Sequence, residues 1–337
     1  MLFSYMRSLR ERGVALLWVT HHLEELFGIA DKATVFKDGR TVATVAMEDA
    51  TVDKLLGLMF GTNIQEFGGG DPRKLAHLQS SAGDRIVLSA RNLKRGSVVR
   101  DVSFDVREGE IVGIAGLAGA GRTETVRTLM GLDRLGSGTV ELDGRRPSLR
   151  NSRSAYRAGL AMLPEDRKQL GILSDLSVAN NISISRLSTV ATAGFWLSRR
   201  KELALAEDYR VKLGIKTPNV NVRIGNLSGG NQQKAIVARC LNSSPKLLIF
   251  DEPTQGIDIS AKVDVHTLVR NYVTQGGSAI LIASEIDELI ELSHRIIVLK
   301  NGQIVGEFSD IPSAVEAGEF ARVKSDILTL SAAGRVS

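Results

Sequence analysis

The glycine-rich segment GLAGAGRT, Gly116–Thr123, constrains the fold more than any other part of this sequence. The apolar run IVGIAG, Ile111–Gly116, leads into it and is typical of a buried parallel strand. The segment RTETVRTLMG follows, and in it Val126, Leu129 and Met130 share one helical face. A buried strand, a glycine-rich turn and an amphipathic helix in this order predict an α/β fold with a parallel sheet.

The same segment has the backbone requirements of a phosphate-binding loop. It fits the pattern G-x-x-x-x-G-K-[ST] except that Arg122 stands where lysine is expected. Its glycines permit a close approach of backbone N–H groups to phosphate oxygens, and Thr123 would offer its hydroxyl to Mg²⁺. The planar arginine group is not equivalent to an ammonium, so we expect phosphate binding with weakened catalysis. Taken alone, the segment leaves a plain glycine turn as an alternative.

A second motif, KLLIFDEP at Lys246–Pro253, is an apolar strand that ends in two carboxylates. Asp251 at the strand's end would hold Mg²⁺ through water, and Glu252 would orient or deprotonate an attacking water. A strand ending in solvated acids is the plain alternative, but the two motifs in this order favour a nucleotide site.

A third motif, NLSGGNQQKAIVARCL at Asn226–Leu241, predicts a helix that begins after Ser228 and two glycines. Its apolar face comprises Ile236, Val237, Cys240 and Leu241. The free N–H groups and the positive end of the helix dipole would therefore be presented at a surface. Such a surface suits the γ-phosphate of a nucleotide held by another domain, whereas a plain serine-capped helix is the simpler interpretation.

An internal repeat divides the chain. Val19–Gly39 (VTHHLEELFGIADKATVFKDG) aligns without a gap with Ile282–Gly302 (IASEIDELIELSHRIIVLKNG), 263 positions later. Each copy predicts a buried strand, an acidic and apolar helix, a second strand and a tight turn. We therefore expect residues 1–65 to be the C-terminal remnant of a first repeat, 66–84 a linker, 85–320 a complete second repeat and 321–337 a solvated tail.

The composition is that of an ordinary globular protein. Of the 337 residues, 43% are hydrophobic, and the net charge of +5 is spread over interspersed charges of both signs. The single cysteine, Cys240, cannot form an internal disulfide, and no apolar run approaches the ~20 residues that cross a bilayer. We expect a cytoplasmic protein that does not bind nucleic acid.

Together, GLAGAGRT, LSGGNQQK and LLIFDEPTQGID resemble the ATP-binding cassette (ABC) proteins, of which LSGG is the signature sequence. With LPEDRK at Leu163–Lys168 and the tandem repeat, nearly the whole chain resembles the ATPase subunits of monosaccharide importers for ribose, xylose or galactose. The resemblance implies a P-loop NTPase fold with a parallel core sheet, an antiparallel β subdomain and a helical signature subdomain. It also implies ATP and Mg²⁺ as cofactors, and ATP hydrolysis coupled to import.

The resemblance assigns roles to the motif positions. Glu252 would act on the attacking water, and Thr123 and Asp251 would bind the metal. Contacts to nucleotide are implied for Gly116, Gly119, Ala120, Gly121, Arg122, Thr123, Glu165, Ser228, Gly229, Gly230, Gln232 and Asp258, the last in the loop that signals between cassettes.

Four departures from the family pattern fall in one nucleotide site. Arg122 replaces lysine, Glu165 replaces the glutamine that senses Mg²⁺ and couples to the permease, and Ser284 replaces the switch histidine. No tyrosine or phenylalanine lies around Leu93–Ser97 to stack on adenine. All four weaken the site that contains Arg122.

The repeat supplies the missing histidine, because Ser284 aligns with His21 of the first copy. His21 is then interpreted as the catalytic switch residue of the first cassette, with a structural histidine as the alternative. We expect a working site made by the first cassette with Ser228–Gly230 of the second. The Arg122 site would be slow and mainly hold nucleotide.

The resemblance further implies integral-membrane sugar permease subunits, an indirectly acting periplasmic sugar-binding protein and a complete first cassette as partners, without nucleic acid. The protein would lie peripherally on the cytoplasmic face of the inner membrane. Since the first cassette's loop, signature and acidic strand are missing from the sequence, we expect an N-terminally truncated ATPase subunit, weakly active or inactive alone. A soluble tandem ABC protein acting on ribosomes or nucleic acid, and an inert remnant, are the alternatives.

Overall fold

The structure is a computed structural model that describes residues 2–20, 23–37, 39–51, 54–55, 57–58, 82–192 and 196–334. The chain divides into two units. Unit 1 comprises Met1–Asp71 with Asp258–Ser260, and unit 2 comprises Pro72–Ile257 with Ala261–Ser337. Of the predicted linker, residues 66–84, only residues 82–84 are among the described residues.

The described part of unit 1 contains a two-stranded sheet and short helices. Its elements are α1 (Leu2–Glu11), α2 (Leu23–Leu26), β1 (Lys32–Lys37), β2 (Arg40–Ala46) and a 3-10 turn at Met47–Asp49. Ala33, Val35 and Leu55 form its buried apolar cluster.

Unit 2 is built on one large mixed sheet. Its strands are β3 (Ile86–Arg95), β4 (Val99–Arg107), β5 (Ile111–Ala115), β6 (Ser137–Leu142), β7 (Leu160–Leu163), β10 (Leu247–Asp251), β11 (Ser278–Ile282), β12 (Arg295–Lys300) and β13 (Gln303–Phe308), with a separate hairpin of β8 (Ala191–Thr192) and β9 (Trp196–Leu197). The sheet order is β6-β3-β4-β13-β12-β5-β11-β10-β7. The five strands from β12 to β7 are parallel, and antiparallel pairs dominate the other end.

Helices cover both faces of the parallel strands. They are α3 (Arg122–Leu129), α4 (Ser152–Ala158), α5 (Val178–Ser183), α6 (Arg199–Lys212), α7 (Gly229–Asn242), α8 (Ile259–Thr274), α9 (Ile286–Leu292), α10 (Ile311–Glu316) and α11 (Phe320–Ala333), with a π-helical turn at Arg167–Gly171 and 3-10 turns at Ile184–Thr189 and Ile224–Asn226. Alternate residues of β10 enter two different apolar clusters, Leu248 and Phe250 on one face and Leu247 and Ile249 on the other. Burial on both faces explains the continuous apolar runs of these strands.

The predicted fold class is confirmed. The parallel core, the antiparallel strands β3, β4 and β6, and a helical part in which α5, α6 and α7 pack together are all present. The segment directly before β5 forms the antiparallel pair β3–β4.

The sequence repeat reappears in the strand pairing. Ala33 pairs with Val45 in unit 1, and their counterparts 263 positions later, Ile296 and Phe308, pair in unit 2. Both hairpins carry a register shift at the same point, directly after Val35 and directly after its counterpart Val298. Because a register irregularity depends on local sequence and packing, its presence in both hairpins supports a common origin of the two segments.

The buried strand predicted at the start of the first copy is wrong. The structure has no strand at residues 14–20, and Leu17 and Val19 are 94% and 89% exposed. Their counterparts in β11, Ile280 and Ile282, are fully buried. The reason is pairing: β11 lies between β5 and β10, whereas the described sheet of unit 1 consists of β1 and β2 alone.

The solvated tail predicted after Phe320 is also wrong. Helix α11 covers Phe320–Ala333, and Val323, Ile327 and Leu330 on one face of it belong to the main apolar cluster. A spacing of three to four residues between these apolar positions places them on one helical face. The segment is therefore part of the packed core.

Candidate functional site

The topology of unit 2 brings two of the sequence motifs, and Ser284, to one edge of the sheet. Strands β5, β11 and β10 are parallel neighbours, so their carboxyl ends lie side by side. The glycine-rich loop follows β5, Asp251 ends β10, and Ser284 follows β11. Open α/β sheets bind ligands at this edge.

The loop has a backbone that requires glycine at two positions. Gly116 and Gly121 have φ angles of 151° and 98°, and a Cβ atom on them would lie 2.5 Å from the Leu299 carbonyl oxygen and 2.7 Å from that of Val98. No side chain caps the first turn of α3. Its N–H groups are therefore oriented for an anion such as phosphate.

Arg122, in the position of the expected lysine, reaches across to the switch position. Its Nη1 donates to the Ala283 carbonyl oxygen at 3.0 Å, and its Nη2 lies 3.4 Å from Ser284 Oγ and 3.5 Å from Glu252 Oε1. The side chain is 13% exposed. The Arg122 guanidinium therefore connects the glycine-rich loop to the segment after β11 and to the carboxylate of Glu252.

Thr123 and Asp251 meet as the sequence predicts. Thr123 Oγ1 donates to Asp251 Oδ1 at 3.2 Å, and Asp251 is 1% exposed. Burial raises the pKa of Asp251 to about 7, the Thr123 hydrogen bond opposes this, and the charges of Glu165 and Glu252 raise it further. Oδ2 of Asp251 is buried and has no hydrogen-bond partner among the residues that the structure describes.

Glu252 is held by the residue that replaces the switch histidine. The backbone N–H of Ser284 donates to Oε2 at 2.9 Å, and the Ser284 hydroxyl donates to Oε1 at 2.5 Å. Glu252 has a φ of 49°, a conformation that is costly for a side chain of this size and that concentrates at functional sites. Its carboxylate thus accepts two hydrogen bonds and lies beside Arg122.

Glu165 and Asp258 are both exposed, each in a connecting segment. Glu165 follows β7, the neighbour of β10, and is close enough for its charge to act on Asp251. Asp258 directly precedes α8. Their predicted contacts to nucleotide remain predictions.

The signature segment begins α7 as the sequence predicts. Ser228 is the exposed N-cap residue, and its Oγ accepts a hydrogen bond from Asn231 Nδ2 at 2.9 Å. Gln232 is buried, and its Nε2 donates to the carbonyl oxygens of Ile224 and Leu227 at 3.3 and 3.0 Å. The amide of Gln232 supports the turn before α7, and its assignment to nucleotide stays a prediction.

The comparisons with known proteins agree with this geometry. Residues 99–255, from β4 to just beyond the acidic strand, match the family model described as "ABC transporter". The part of the chain from residue 99 to residue 255 is therefore an ABC-transporter domain.

Several curated relatives of this ABC protein are about 40% identical to it. They include the "Xylose import ATP-binding protein XylG" of Moorella thermoacetica, 39% identical over 91% of this chain and 61% of the relative, and the "Arabinose import ATP-binding protein AraG" of Azospirillum brasilense, 41% identical over 94% and 59%. The chain thus spans about 60% of the length of the curated relatives it matches.

Solved structures support the cassette fold. MJ1267, an ATP-binding cassette of an ABC transporter in its ADP conformation, superposes with a TM-score of 0.57 at 19% identity, over 71% of this chain and 98% of that one. A bacterial Atm1-family ABC exporter with ATP bound gives 0.56 at 24% identity, over 75% and 43%.

None of the helices that the structure describes is long and apolar enough to cross a bilayer. Among the same residues, no group of three or more His, Cys, Asp or Glu is arranged to hold a metal on its own. The predicted switch residue His21 lies outside the described residues.

Sequence reasoning missed several residues that shape the cassette site. Arg167, Gln233 and Glu288 contact the loop after the acidic strand, and His266 contacts Glu288. Arg167 lies in the LPEDRK motif, which indicates the family but does not indicate what the arginine contacts. Gln233, Glu288 and His266 are ordinary helical positions in sequence, so nothing local indicates what they touch.

Proposed function

We propose that this chain is part of an ATPase subunit that energises the import of simple sugars, and that unit 2 supplies a nucleotide-holding site and a signature helix. The observation that carries the proposal is the meeting of the glycine-rich loop, the Thr123–Asp251 pair and Glu252 at one sheet edge. Relatives named as xylose, arabinose and ribose import ATP-binding proteins support the sugar class.

The residues at the edge fit nucleotide phosphates with Mg²⁺. The uncapped start of α3 and the loop N–H groups would bind phosphate oxygens. Thr123 Oγ1 and the buried Asp251 carboxylate, whose Oδ2 lacks a partner among the described residues, are hard oxygen ligands suited to Mg²⁺. When bound, the ion would neutralise phosphate charge.

The environment of Glu252 favours holding ATP over hydrolysing it. A general base needs an accessible oxygen with proton affinity, but both carboxylate oxygens of Glu252 accept hydrogen bonds from Ser284. The Arg122 Nη2 atom also lies 3.5 Å from Oε1 of Glu252. Held in this way, Glu252 would be poorly placed to orient or deprotonate an attacking water, and the site would keep its nucleotide intact.

The signature segment would serve a second site. Ser228 is exposed at the start of the 14-residue helix α7, so it can meet a γ-phosphate presented by another cassette. In the proposed scheme, a complete first cassette contributes that nucleotide, and His21 of the first repeat acts as its switch residue.

The proposed permease contact is the exposed apolar surface beside Glu165. Leu170, Leu173 and Leu176 are 64%, 41% and 40% exposed. Exposed leucines clustered along one segment are typical of an interaction surface. The permease, with a periplasmic sugar-binding protein acting through it, would place the subunit on the cytoplasmic face of the membrane.

Two substitutions in the full assembly of ATPase, permease and binding protein test this scheme. Ser228→Arg should abolish ATP turnover, because a bulky cation fills the start of α7, whereas Glu252→Gln should leave turnover within about twofold, because Glu252 is not the working base. Ser325→Arg, at an exposed position of α11, is the matched control. Loss of turnover in Glu252→Gln with full activity in Ser228→Arg would contradict the scheme, and association with ribosomes in place of membrane would favour the soluble alternative.

A further inference from the structure

The loop that follows the acidic strand, Pro253–Ile257, is fastened by side chains from three different segments. We call it the post-acidic loop. Gln233 Nε2 of α7 donates to the Pro253 carbonyl oxygen at 2.6 Å. The Thr254 hydroxyl donates to Glu288 Oε2 of α9 at 2.6 Å. The third anchor is Arg167, in the π-helical turn, whose Nη1 and Nη2 donate to two carbonyl oxygens of the loop at 3.4 and 3.3 Å.

Two of these anchors are fixed. Gln233 and Glu288 are each 2% exposed, and Glu288 Oε1 also lies 3.0 Å from Nε2 of the buried His266. Breaking a short hydrogen bond of a buried polar group is costly because it leaves that group without a partner and without water. Neither contact is expected to open while unit 2 is folded.

Arg167 is the adjustable anchor. Its bonds to the Gln255 and Gly256 carbonyl oxygens are the longest of the set, and both acceptors are neutral. Burial lowers the pKa of Arg167, and Asp166 only partly opposes this. Its Nε is buried without a hydrogen-bond partner among the described residues. Long bonds with an unsatisfied donor beside them are the easiest to remake in another arrangement.

The π-helical turn connects this anchor to an exposed surface. Leu170 of the turn is 64% exposed, while a Cβ atom on Gly171 would lie 2.8 Å from Ile236 Cδ1 of α7. At the other end of the turn, Arg167 Nη2 lies 3.0 Å from the place where Gly229 would carry a Cβ atom. Single π-helical turns are rare and concentrate at functional sites. A displacement of this turn would therefore change the contacts of Arg167 with both the signature start and the post-acidic loop.

We propose that Arg167 is a positioning residue that couples the exposed face of the π-helical turn to the post-acidic loop and to the start of the signature helix. It touches neither nucleotide nor reacting atoms in this role. It sets the position of the post-acidic loop relative to the start of the signature helix α7. The coupling part rests on the proposed function, whereas the anchoring part does not.

Hydrogen exchange on this chain tests the anchoring. Arg167→Gln should speed amide exchange at Gln255–Ile257 about tenfold, as expected for loss of roughly one net hydrogen bond, and leave β10 unchanged. Arg167→Lys, which keeps the positive charge but lacks the planar fork whose two nitrogens each donate to one carbonyl oxygen, should give an intermediate value. Lys168→Gln, at the exposed neighbouring position, is the control. Unchanged exchange in Arg167→Gln, or an equal effect of Lys168→Gln, would overturn the anchor.

ATP turnover of the full assembly, with and without sugar-loaded binding protein, tests the coupling. Arg167→Gln should reduce the sugar-stimulated rate about tenfold and keep the basal rate within about twofold, with Arg167→Lys between it and the wild type. Equal loss of both rates would show a merely structural residue and overturn the coupling. A wild-type assembly that sugar does not stimulate would overturn the proposed function and the coupling together, while the exchange measurement would still decide the anchor.

Discussion

The buried carboxyl of Asp251 predicts a pH-dependent stability that one substitution should remove. Burial raises its pKa from 3.8 to about 7, so the folded chain binds this proton more tightly than the unfolded chain does. The resulting stabilisation is complete below pH 3.8 and is lost as the pH rises to about 7. Asp251→Asn keeps the shape of the protonated side chain but has no proton to lose.

The size of the effect follows from the two pKa values. The raised pKa of Asp251 lowers the free energy of unfolding, relative to its value at low pH, by the equivalent of about 1.7 pK units at about pH 5.5 and about 3.2 pK units at about pH 8. The difference between these two amounts is about 2 kcal/mol. The free energy of unfolding of Asp251→Asn minus that of the wild type should therefore grow by about 2 kcal/mol between these pH values. Comparing differences removes the contributions of other titrating groups that the variant shares.

Urea unfolding of unit 2 at both pH values, without nucleotide or divalent metal, measures this change. Asp175→Asn is the control, because the Asp175 side chain is 96% exposed. Adding Mg²⁺ with ATP at about pH 8 should then stabilise the wild type and leave Asp251→Asn nearly unchanged. A difference between variant and wild type that stays constant within about 0.5 kcal/mol across the pH range would refute the reasoning.

Two further predictions concern the loop and the C-terminal helix. Gly121→Ala should weaken ATP binding by roughly tenfold or more, because its Cβ atom would lie 2.7 Å from a carbonyl oxygen. Gly119→Ala is also at a positive φ, but its Cβ atom would lie in open space, so it should weaken binding less. Equal losses of affinity in a nucleotide titration would contradict this prediction. Ile327→Ala should lower the free energy of unfolding by about 2–4 kcal/mol because Ile327 is fully buried, and the exposed Leu328→Ala by less than about 1 kcal/mol; equal values in thermal unfolding would contradict the packing of α11.

The sequence was most informative where local residues set both backbone and chemistry. The glycines of the loop after β5, the apolar strand before Asp251 and the serine before the signature glycines each specify their own element, and the structure has these elements where we expected them. The repeat was equally informative, because an ungapped alignment predicts the same hairpin register in both copies.

The errors arose where burial depends on residues far away in sequence. The apolar segment around Leu17 has the composition of a buried strand, but burial requires neighbouring strands, and the described sheet of unit 1 has only β1 and β2. The segment after Phe320 carries charged residues of both signs, which are typical of a surface, yet its apolar positions pack into the core of unit 2. Likewise, the contacts of Arg167 and Glu288 cross 88 and 34 positions, which no local pattern predicts.

We propose that the loop around Arg122 holds ATP without hydrolysing it, because Ser284 and Arg122 restrain Glu252. The most direct measurement is to incubate this chain with Mg²⁺ and ATP labelled in the base, isolate the protein and identify the bound nucleotide. We expect nearly all of the bound nucleotide to be ATP, and Gly121→Ala to bind much less of it. The proposal is wrong if the bound nucleotide is mostly ADP formed on the protein, or if no nucleotide is bound at saturating ATP.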